Sequence, residues 1–314
     1  MTATLTPASL HHHTCSAMNT RFSMVLIGVE RDQAESLFQS TEQQLHQLEF
    51  LMSRFHPQGA LTELNEFAAG RPVAPPEELW QILLQCRQYW QQTNGAFDIT
   101  LRPLQNLWHN AQKRNMEPTE GQLAVVIPQT GFDKLVFNEA AHTIQFLAPR
   151  LTLDLGGFGK GYALDRVAQT LRAAGVQQAF LSFGESSITV LGTHPHGPSW
   201  PIGIPNQFNL AENLHTFALK DASLSTSGAS PNNQNQTLII SPATARPIPG
   251  YRTLSIATSS ATEAEILSTA LTVIPIQDRK KIIEKFPNVQ AGIEIVYNNE
   301  IPNTNPIPIR PHGI

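Results

Sequence analysis

The segment Leu153 to Asp165, LDLGGFGKGYALD, constrains the fold more than any other stretch of the chain. An apolar run from Leu151 to Leu155 reads as a strand, stops at Gly156, Gly157, Gly159 and Gly161, and leads into a helix pattern running from Gly161 to Ala174, which Gly175 ends. Glycine lets a ligand come close to bare backbone, and the unpaired N–H groups of a helix start favour an anion such as a pyrophosphate. The same glycines also permit tight packing between a helix and its neighbours, and the spacing leaves both readings open. It fits neither G-x-x-x-x-G-K-[ST] nor G-x-G-x-x-G.

Around this turn the pattern alternates irregularly. Phe22 to Val29 reads as a buried strand and Asp32 to Phe55 as a helix with one apolar face. A second helix starts at Pro75-Pro76-Glu77-Glu78 and stops at Asn94-Gly95. Short strands are expected at Lys134 to Phe137, Thr143 to Leu147, Ala179 to Phe183, Ser187 to Leu191, Pro201 to Ile204, Leu238 to Ser241 and Leu254 to Ala257. Ser260 and Glu263 form a capping-box pattern for a helix reaching about Val273. No repeat and no strong linker appears between Phe22 and Tyr297. The expectation is α+β: one interlocked unit of mixed β-sheets with helices packed on the faces, over residues 18–300. Residues 1–17 read as a loose polar segment and 301–314 as a Pro-rich tail.

The chain has 314 residues, 41% of them hydrophobic, which is ample for a core. Its net charge of −4 is not segregated into runs, which argues against a nucleic-acid partner or a membrane-surface role. Cys15 and Cys86 are too few for a disulfide scaffold and read as ordinary thiols; His11 to His13 read as incidental on a loose terminus. Neither a signal peptide nor a lipoprotein cleavage site is visible, and no stretch reaches the roughly 18 to 20 apolar residues of a membrane span, so a cytoplasmic location is expected.

Three further segments could carry chemistry. In Gly95 to Trp108, Phe97 could stack on a ring while Asp98 accepts hydrogen bonds; the alternative is a buried Phe beside a turn-forming Asp. Glu265 and Thr269, four apart on one helix face, offer hard oxygen ligands suited to Mg²⁺, or a solvated surface. Ser223 to Gly228 could hold phosphate oxygens or form a polar turn.

In order, AMNTRFS at Ala17, LMSRFHPQGALTELN at Leu51, GAFDITLRPLQNLW at Gly95, LDLGGFGKGYALDRVAQTL at Leu153, the TSG at Thr226 and AEILSTAL at Ala264 resemble the FAD:protein FMN transferases, once called thiamine-biosynthesis lipoprotein. The resemblance implies a Mg²⁺-dependent enzyme that cuts FAD at its pyrophosphate, attaches FMN to a Thr or Ser of an acceptor flavoprotein and releases AMP. It implies cofactor contacts at Met18, Phe55, Ala96, Phe97, Asp98, Gly156, Gly157, Lys160, Tyr162 and Asp165. The metal ligands would be the Gly159 carbonyl, Glu265 and Thr269, with Thr226 and Ser227 on the phosphate side.

The sequence departs from the family pattern at definite places. Leu238 stands where the family has His, Ser241 where it has Asp, Phe55 where it usually has Tyr, and Glu265 where it usually has Asp. Gly184-Glu185-Ser186 replaces Gly-Gly-Asp or Gly-Gly-Asn, and Ala229 to Gln234 lacks the charges that normally follow the TSG. Leucine cannot exchange a proton. A flavin-binding carrier without turnover and a slow FAD pyrophosphatase are therefore alternatives.

Overall fold

The computed structural model describes residues 9–229, 238–298 and 301–307. In chain order the elements are β1 (Leu10–Ala17), β2 (Thr20–Ile27), α1 (Arg31–Met52), α2 (Ala60–Phe67), α3 (Glu77–Gln92), α4 (Arg102–Gln112), α5 (Glu120–Val126), β3 (Leu135–Asn138) and β4 (Thr143–Phe146). Then follow α6 (Gly159–Ala173), β5 (Gln178–Phe183), β6 (Ser187–Leu191), β7 (Trp200–Asn206), β8 (Asn209–Leu219), β9 (Ala222–Ala229), β10 (Ile240–Ser241) and β11 (Arg246–Pro247). The last are β12 (Tyr251–Thr258), α7 (Ala261–Val273), α8 (Ile276–Ile283), β13 (Val289–Asn298) and β14 (Ile301–Pro306).

An eight-stranded sheet in the order β1-β2-β5-β6-β9-β12-β13-β14 forms the backbone of the molecule. Its central strands β2, β5 and β6 bury side chains on both faces because both faces are covered. In β2, Phe22, Met24 and Leu26 enter the core built with α1, α3 and α6, while Val25 and Ile27 point the opposite way. That second face is closed by the β7–β8 hairpin, through Trp200, Ile204, Phe217 and Leu219. Helices α7 and α8 pack Leu267, Leu271, Ile282 and Ile283 on Leu254 and Ile256 of β12. The α+β class is as read from sequence. The sheets read as mixed are antiparallel in every adjacent pair among the described residues.

Three local readings need correction. The segment read as loose up to residue 17 is ordered from Leu10 onward: β1 pairs with β2 from Leu10↔Ile27 to Ala17↔Thr20. Its polar side chains hide this, because ladder pairing uses the backbone. Residues 1–8 lie outside the described residues. The Pro-rich tail likewise begins as β14, an edge strand on β13, which tolerates proline because one side of its backbone has no ladder to serve; residues 308–314 lie outside the described residues. Leu151 to Leu155 joins no sheet. Asn65 takes the place of a strand neighbour: its Oδ1 accepts from Leu153 N at 2.7 Å and its Nδ2 donates to Leu153 O at 3.1 Å. The Asp154 N–H donates to Ile99 O at 2.8 Å.

The expected helices are present. The cap at Ser260 is half a capping box: its Oγ accepts from Glu263 N at 3.3 Å, but its own N–H donates to Thr258 Oγ1 at 2.9 Å. No helix among the described residues is long and apolar enough to cross a membrane.

Candidate functional site

The helix starts and loops above the sheet enclose a cleft of about 720 Å³. One wall comes from loops: Met18 and Asn19 after β1, Arg54 and Phe55 after α1, and Ala96, Phe97 and Asp98 after α3. The other comes from the glycine turn, the start of α6, β9, α7 and residues 238–240. Blocks far apart in sequence thus meet in one place.

On the loop wall, Met18 and Asn19 both have left-handed backbones, φ 51° and 59°, which turn the chain sharply between β1 and β2. Phe55 is 64% exposed, with the Arg54 guanidinium 3.8 Å from its ring centroid. Phe97 is buried and serves the core as well as the cleft. Asp98 is held by three donors: Thr100 N at 2.8 Å and Thr100 Oγ1 at 2.6 Å to Oδ1, and Phe132 N at 3.2 Å to Oδ2. Burial pushes its carboxyl pKa up, and these hydrogen bonds pull it down less strongly. Asp98 thus closes its own turn beside a buried Phe97, and both residues line the cleft.

On the helix wall, Lys160 stands in the first turn of α6. Its Nζ lies 3.3 Å from Glu265 Oε1 and donates to Ser187 Oγ at 3.0 Å and Ser186 Oγ at 3.4 Å. Glu265 is only 3% exposed, and its Oε2 accepts from the Gly161 N–H. A hydroxyl ladder continues from it. Ser227 Oγ is 2.7 Å from Ser268 Oγ and 3.0 Å from Thr269 Oγ1, and Thr226 Oγ1 is 2.8 Å from Ser255 Oγ. Ser268 also donates to Ser225 Oγ at 3.2 Å.

The glycines divide by role. A Cβ at Gly161 would lie 2.5 Å from Ala261 O, so this glycine is required by the close crossing of α6 and α7. A Cβ at Gly157 would meet nothing within 4 Å. Gly156, Gly157, Gly159 and Lys160 line the cleft and form the part open to a ligand.

Two sequence-based site residues are misplaced. Asp165, expected at the cofactor, is instead the N-terminal anchor of α7: it accepts from Ala261 N at 2.7 Å, Thr262 N at 2.9 Å, and the hydroxyls of Ser260 and Thr262, each at 2.7 Å. Its oxygens are committed there. Tyr162 is also off the cleft, one turn along α6, stacked on Phe158 at 5.5 Å and donating to Glu78 Oε1 at 3.2 Å. Burial, reinforced by Glu78, pushes its phenol up to about 12, so it remains a donor.

Leu238 lines the cleft and leans on the cluster of Leu104, Trp108, Leu123 and Ile240. Ser241 lies instead on an adjoining cavity of about 510 Å³ that shares Ala96, Asp98 and Val273 with the cleft. Of the segment after the TSG, residues 230–237 lie outside the described residues.

Sequence reasoning missed the cationic floor. Arg54 Nε donates to Asp154 Oδ2 at 2.8 Å, and Arg102 Nη1 lies 3.9 Å from the same oxygen. Burial and the neighbouring Arg54 charge lower the Arg102 pKa against the opposing pull of Asp154. Arg102 Nε and Gln105 Oε1, both on cleft residues, are buried without a partner among the described residues. Both arginines sit inside the SRFHPQG and ITLRPLQ stretches, where a basic residue next to an aromatic or proline was the available signal.

The model of the ApbE family matches residues 18–293. A relative named FAD:protein FMN transferase from Salmonella typhimurium is 27% identical over 281 residues, which cover 85% of this chain and 79% of that protein. In three dimensions the chain is similar to the flavin transferase ApbE from Vibrio cholerae, with a TM-score of 0.80 at 22% identity over 96% of this chain and 97% of that one. It is similar to the same degree to the apo form of the Pseudomonas stutzeri flavinyl transferase ApbE, with a TM-score of 0.80 at 23% identity and 96% of each chain covered.

Proposed function

This chain belongs to the ApbE family, and on that premise we propose that it is an FAD:protein FMN transferase that moves FMN from FAD onto a Thr or Ser of an acceptor flavoprotein and releases AMP. The observation that carries the reading is the convergence of the exposed Phe55 ring, the open glycine turn and the Lys160–Glu265 hydroxyl ladder on one cleft. An aromatic face suits an isoalloxazine ring, and backbone N–H groups, Lys160, Arg54 and Arg102 suit a pyrophosphate.

The reaction exchanges the phosphoanhydride bond of FAD for a phosphoester bond to the acceptor. The acceptor hydroxyl oxygen attacks the FMN phosphorus and loses its proton, while the bond from that phosphorus to the bridging pyrophosphate oxygen breaks and the electrons leave with AMP. In such transfers positioning and charge stabilisation supply most of the rate. The residues expected to hold Mg²⁺ fit it by donor chemistry: the Gly159 carbonyl, the Glu265 carboxylate and the Thr269 hydroxyl are all hard oxygens, with a single buried carboxylate. A bound Mg²⁺ would supply neutralisation of pyrophosphate charge. Glu265 keeps lone pairs available beyond those used by Lys160 and Gly161. Lys160 places a positive charge at the α6 start, where the phosphates of FAD would lie. Ser227 orients Thr269 through their 3.0 Å contact. Leu238 shields the cleft with its packed side chain but exchanges no proton, so the acceptor proton leaves without help from that position.

The test is to incubate the protein with FAD, Mg²⁺ and a Thr-bearing acceptor. The expected result is AMP in equal amount to an acceptor whose mass has grown by FMN less one water; AMP no higher than in the protein-free control contradicts it. Leu238 favours a second reading, a carrier that binds FAD without turnover, marked by tight binding with no AMP. AMP formed equally with and without acceptor would instead mark a slow FAD pyrophosphatase.

A further inference from the structure

Away from the cleft, the ordering of β1 gives its polar residues a meaning that the sequence alone does not. Residues His11, His13 and Cys15 alternate with exposed neighbours, so all three lie on the face that is half-buried, where α1 runs past. His11 is already engaged, with Nε2 3.0 Å from Val29 O. His13 and Cys15 are not tied to backbone in this way. They meet Glu42 of α1, and one ligand atom from each of His13, Cys15 and Glu42 lies within 4.8 Å of the others.

We propose that His13, Cys15 and Glu42 form a binding site for a borderline transition-metal ion of the Zn²⁺ type, separate from the cleft and clamping the edge strand β1 to α1. The set of one thiolate, one imidazole and one carboxylate is that of zinc, whereas Mg²⁺ and Ca²⁺ take oxygen ligands alone. Three protein ligands plus a water complete a tetrahedron. With metal–ligand bonds of about 2.0 to 2.3 Å, donors in such a site stand roughly 3.3 to 3.8 Å apart. The triad reaches this by side-chain adjustment: His13 Nε2 and Glu42 Oε1, now 2.8 Å apart, open slightly, and no donor pair starts more than 4.8 Å apart.

The ring of His13 is already oriented, stacked on Phe38 of α1 at 4.9 Å with an interplanar angle of 19°. The side chains of His13 and Glu42 are 29% and 37% exposed, so an ion reaches them from solvent. Binding balances as follows. The Cys15 S–H gives its proton to solvent and the thiolate becomes a ligand. His13 carries its proton on Nδ1 and presents the Nε2 lone pair, while Glu42 exchanges its contact with His13 for the metal. Burial and the Glu42 carboxylate hold the Cys15 thiol pKa up, so metal-free protein keeps the thiol protonated. Two positions beyond Cys15 the strand ends, and Met18 and Asn19 enter the cleft wall; a metal here fixes the strand that carries them.

The test uses Co²⁺ alone as the probe, added to the full chain without a histidine tag in Mg²⁺-containing buffer. Wild-type protein is expected to bind one Co²⁺ with a thiolate-to-cobalt charge-transfer band and the intense visible bands of tetrahedral Co²⁺. The band can come only from Cys15, because Cys86 is fully enclosed in the core. Cys15→Ser is expected to abolish it, and His13→Gln, which removes a ligand, to weaken Co²⁺ binding, with circular dichroism showing both variants folded. Wild-type protein that binds no Co²⁺, binds it without a thiolate band, or keeps the band in Cys15→Ser overturns the site. A melting temperature that rises with Zn²⁺ in wild type but not in Cys15→Ser provides an independent reading.

Discussion

The two walls of the cleft are built on opposite principles. The loop wall presents side chains from sharply turned segments, and its most prominent group, Phe55, is 64% exposed with Arg54 stacked against it. The helix wall is buried and cross-linked: Glu265 is 3% exposed, Ser268 is fully enclosed, and hydroxyls of β9 and α7 bond one another between them. Such a difference suits two tasks. A wall of loops adapts to a flat ring, whereas a wall whose polar groups already hold one another requires little reorganisation when charge moves on a phosphate.

The largest effect is expected from breaking the helix wall. Glu265→Ala leaves the Gly161 N–H without its acceptor and the Lys160 ammonium without a counter-charge, held only by the Ser186 and Ser187 hydroxyls, and loss of one partner of a buried pair costs about 3 to 5 kcal/mol. Lys160 can still reach water, its side chain being 26% exposed, so the lower end applies. Urea unfolding reads this directly, and a loss below 1 kcal/mol on that scale would mean the pair is not structural. Next comes Gly161→Ala, whose Cβ would stand 2.5 Å from Ala261 O. Separating α6 from α7 should lower stability by about 1 to 3 kcal/mol, again by urea. An unchanged midpoint would return Gly161 to the ligand-binding part of the turn.

The loop wall should respond differently. Phe55→Ala is expected to weaken FAD binding roughly tenfold with little change in unfolding midpoint, since a stacked ring contributes about 1 to 3 kcal/mol. Flavin fluorescence quenching measures it, and a loss of stability in place of affinity would blur the contrast between the walls. The smallest effect belongs to Tyr162→Phe, which removes one half-exposed hydrogen bond to Glu78 and should cost less than about 1 kcal/mol with FAD affinity intact. A drop in affinity there would restore Tyr162 to the flavin contacts that the family resemblance implies.

How far the sequence carried depended on distance along the chain. The helix starting near Pro75, the stop at Asn94-Gly95 and the helix after the glycine turn follow from neighbouring residues and were legible. So was the coming together of the blocks at Met18, Phe55, Gly95, Leu153, Thr226 and Ala264, because the family resemblance orders them. The role of Asp165 was hidden because its partners at Ser260, Ala261 and Thr262 lie far along the chain, in another helix start. The strand β1 was hidden because His-His-His-Thr carries no apolar alternation, although its backbone pairs with β2 along its length. Leu151 to Leu155 misled for the converse reason: it is apolar enough for a strand, but Asn65 and Ile99 take up its backbone groups.

The helix wall also carries the replacement that matters most for turnover, Leu238 at a position where an acid or base is expected. If the wall is otherwise ready, restoring that group should change rate and leave binding alone. The decisive measurement is AMP release from FAD, with Mg²⁺ and acceptor, by the native chain and by Leu238→His. The account predicts slow, acceptor-dependent AMP release by the native chain and a rate about 100-fold higher or more in the variant, at nearly equal FAD affinity. No AMP from either protein, despite bound FAD, would contradict it.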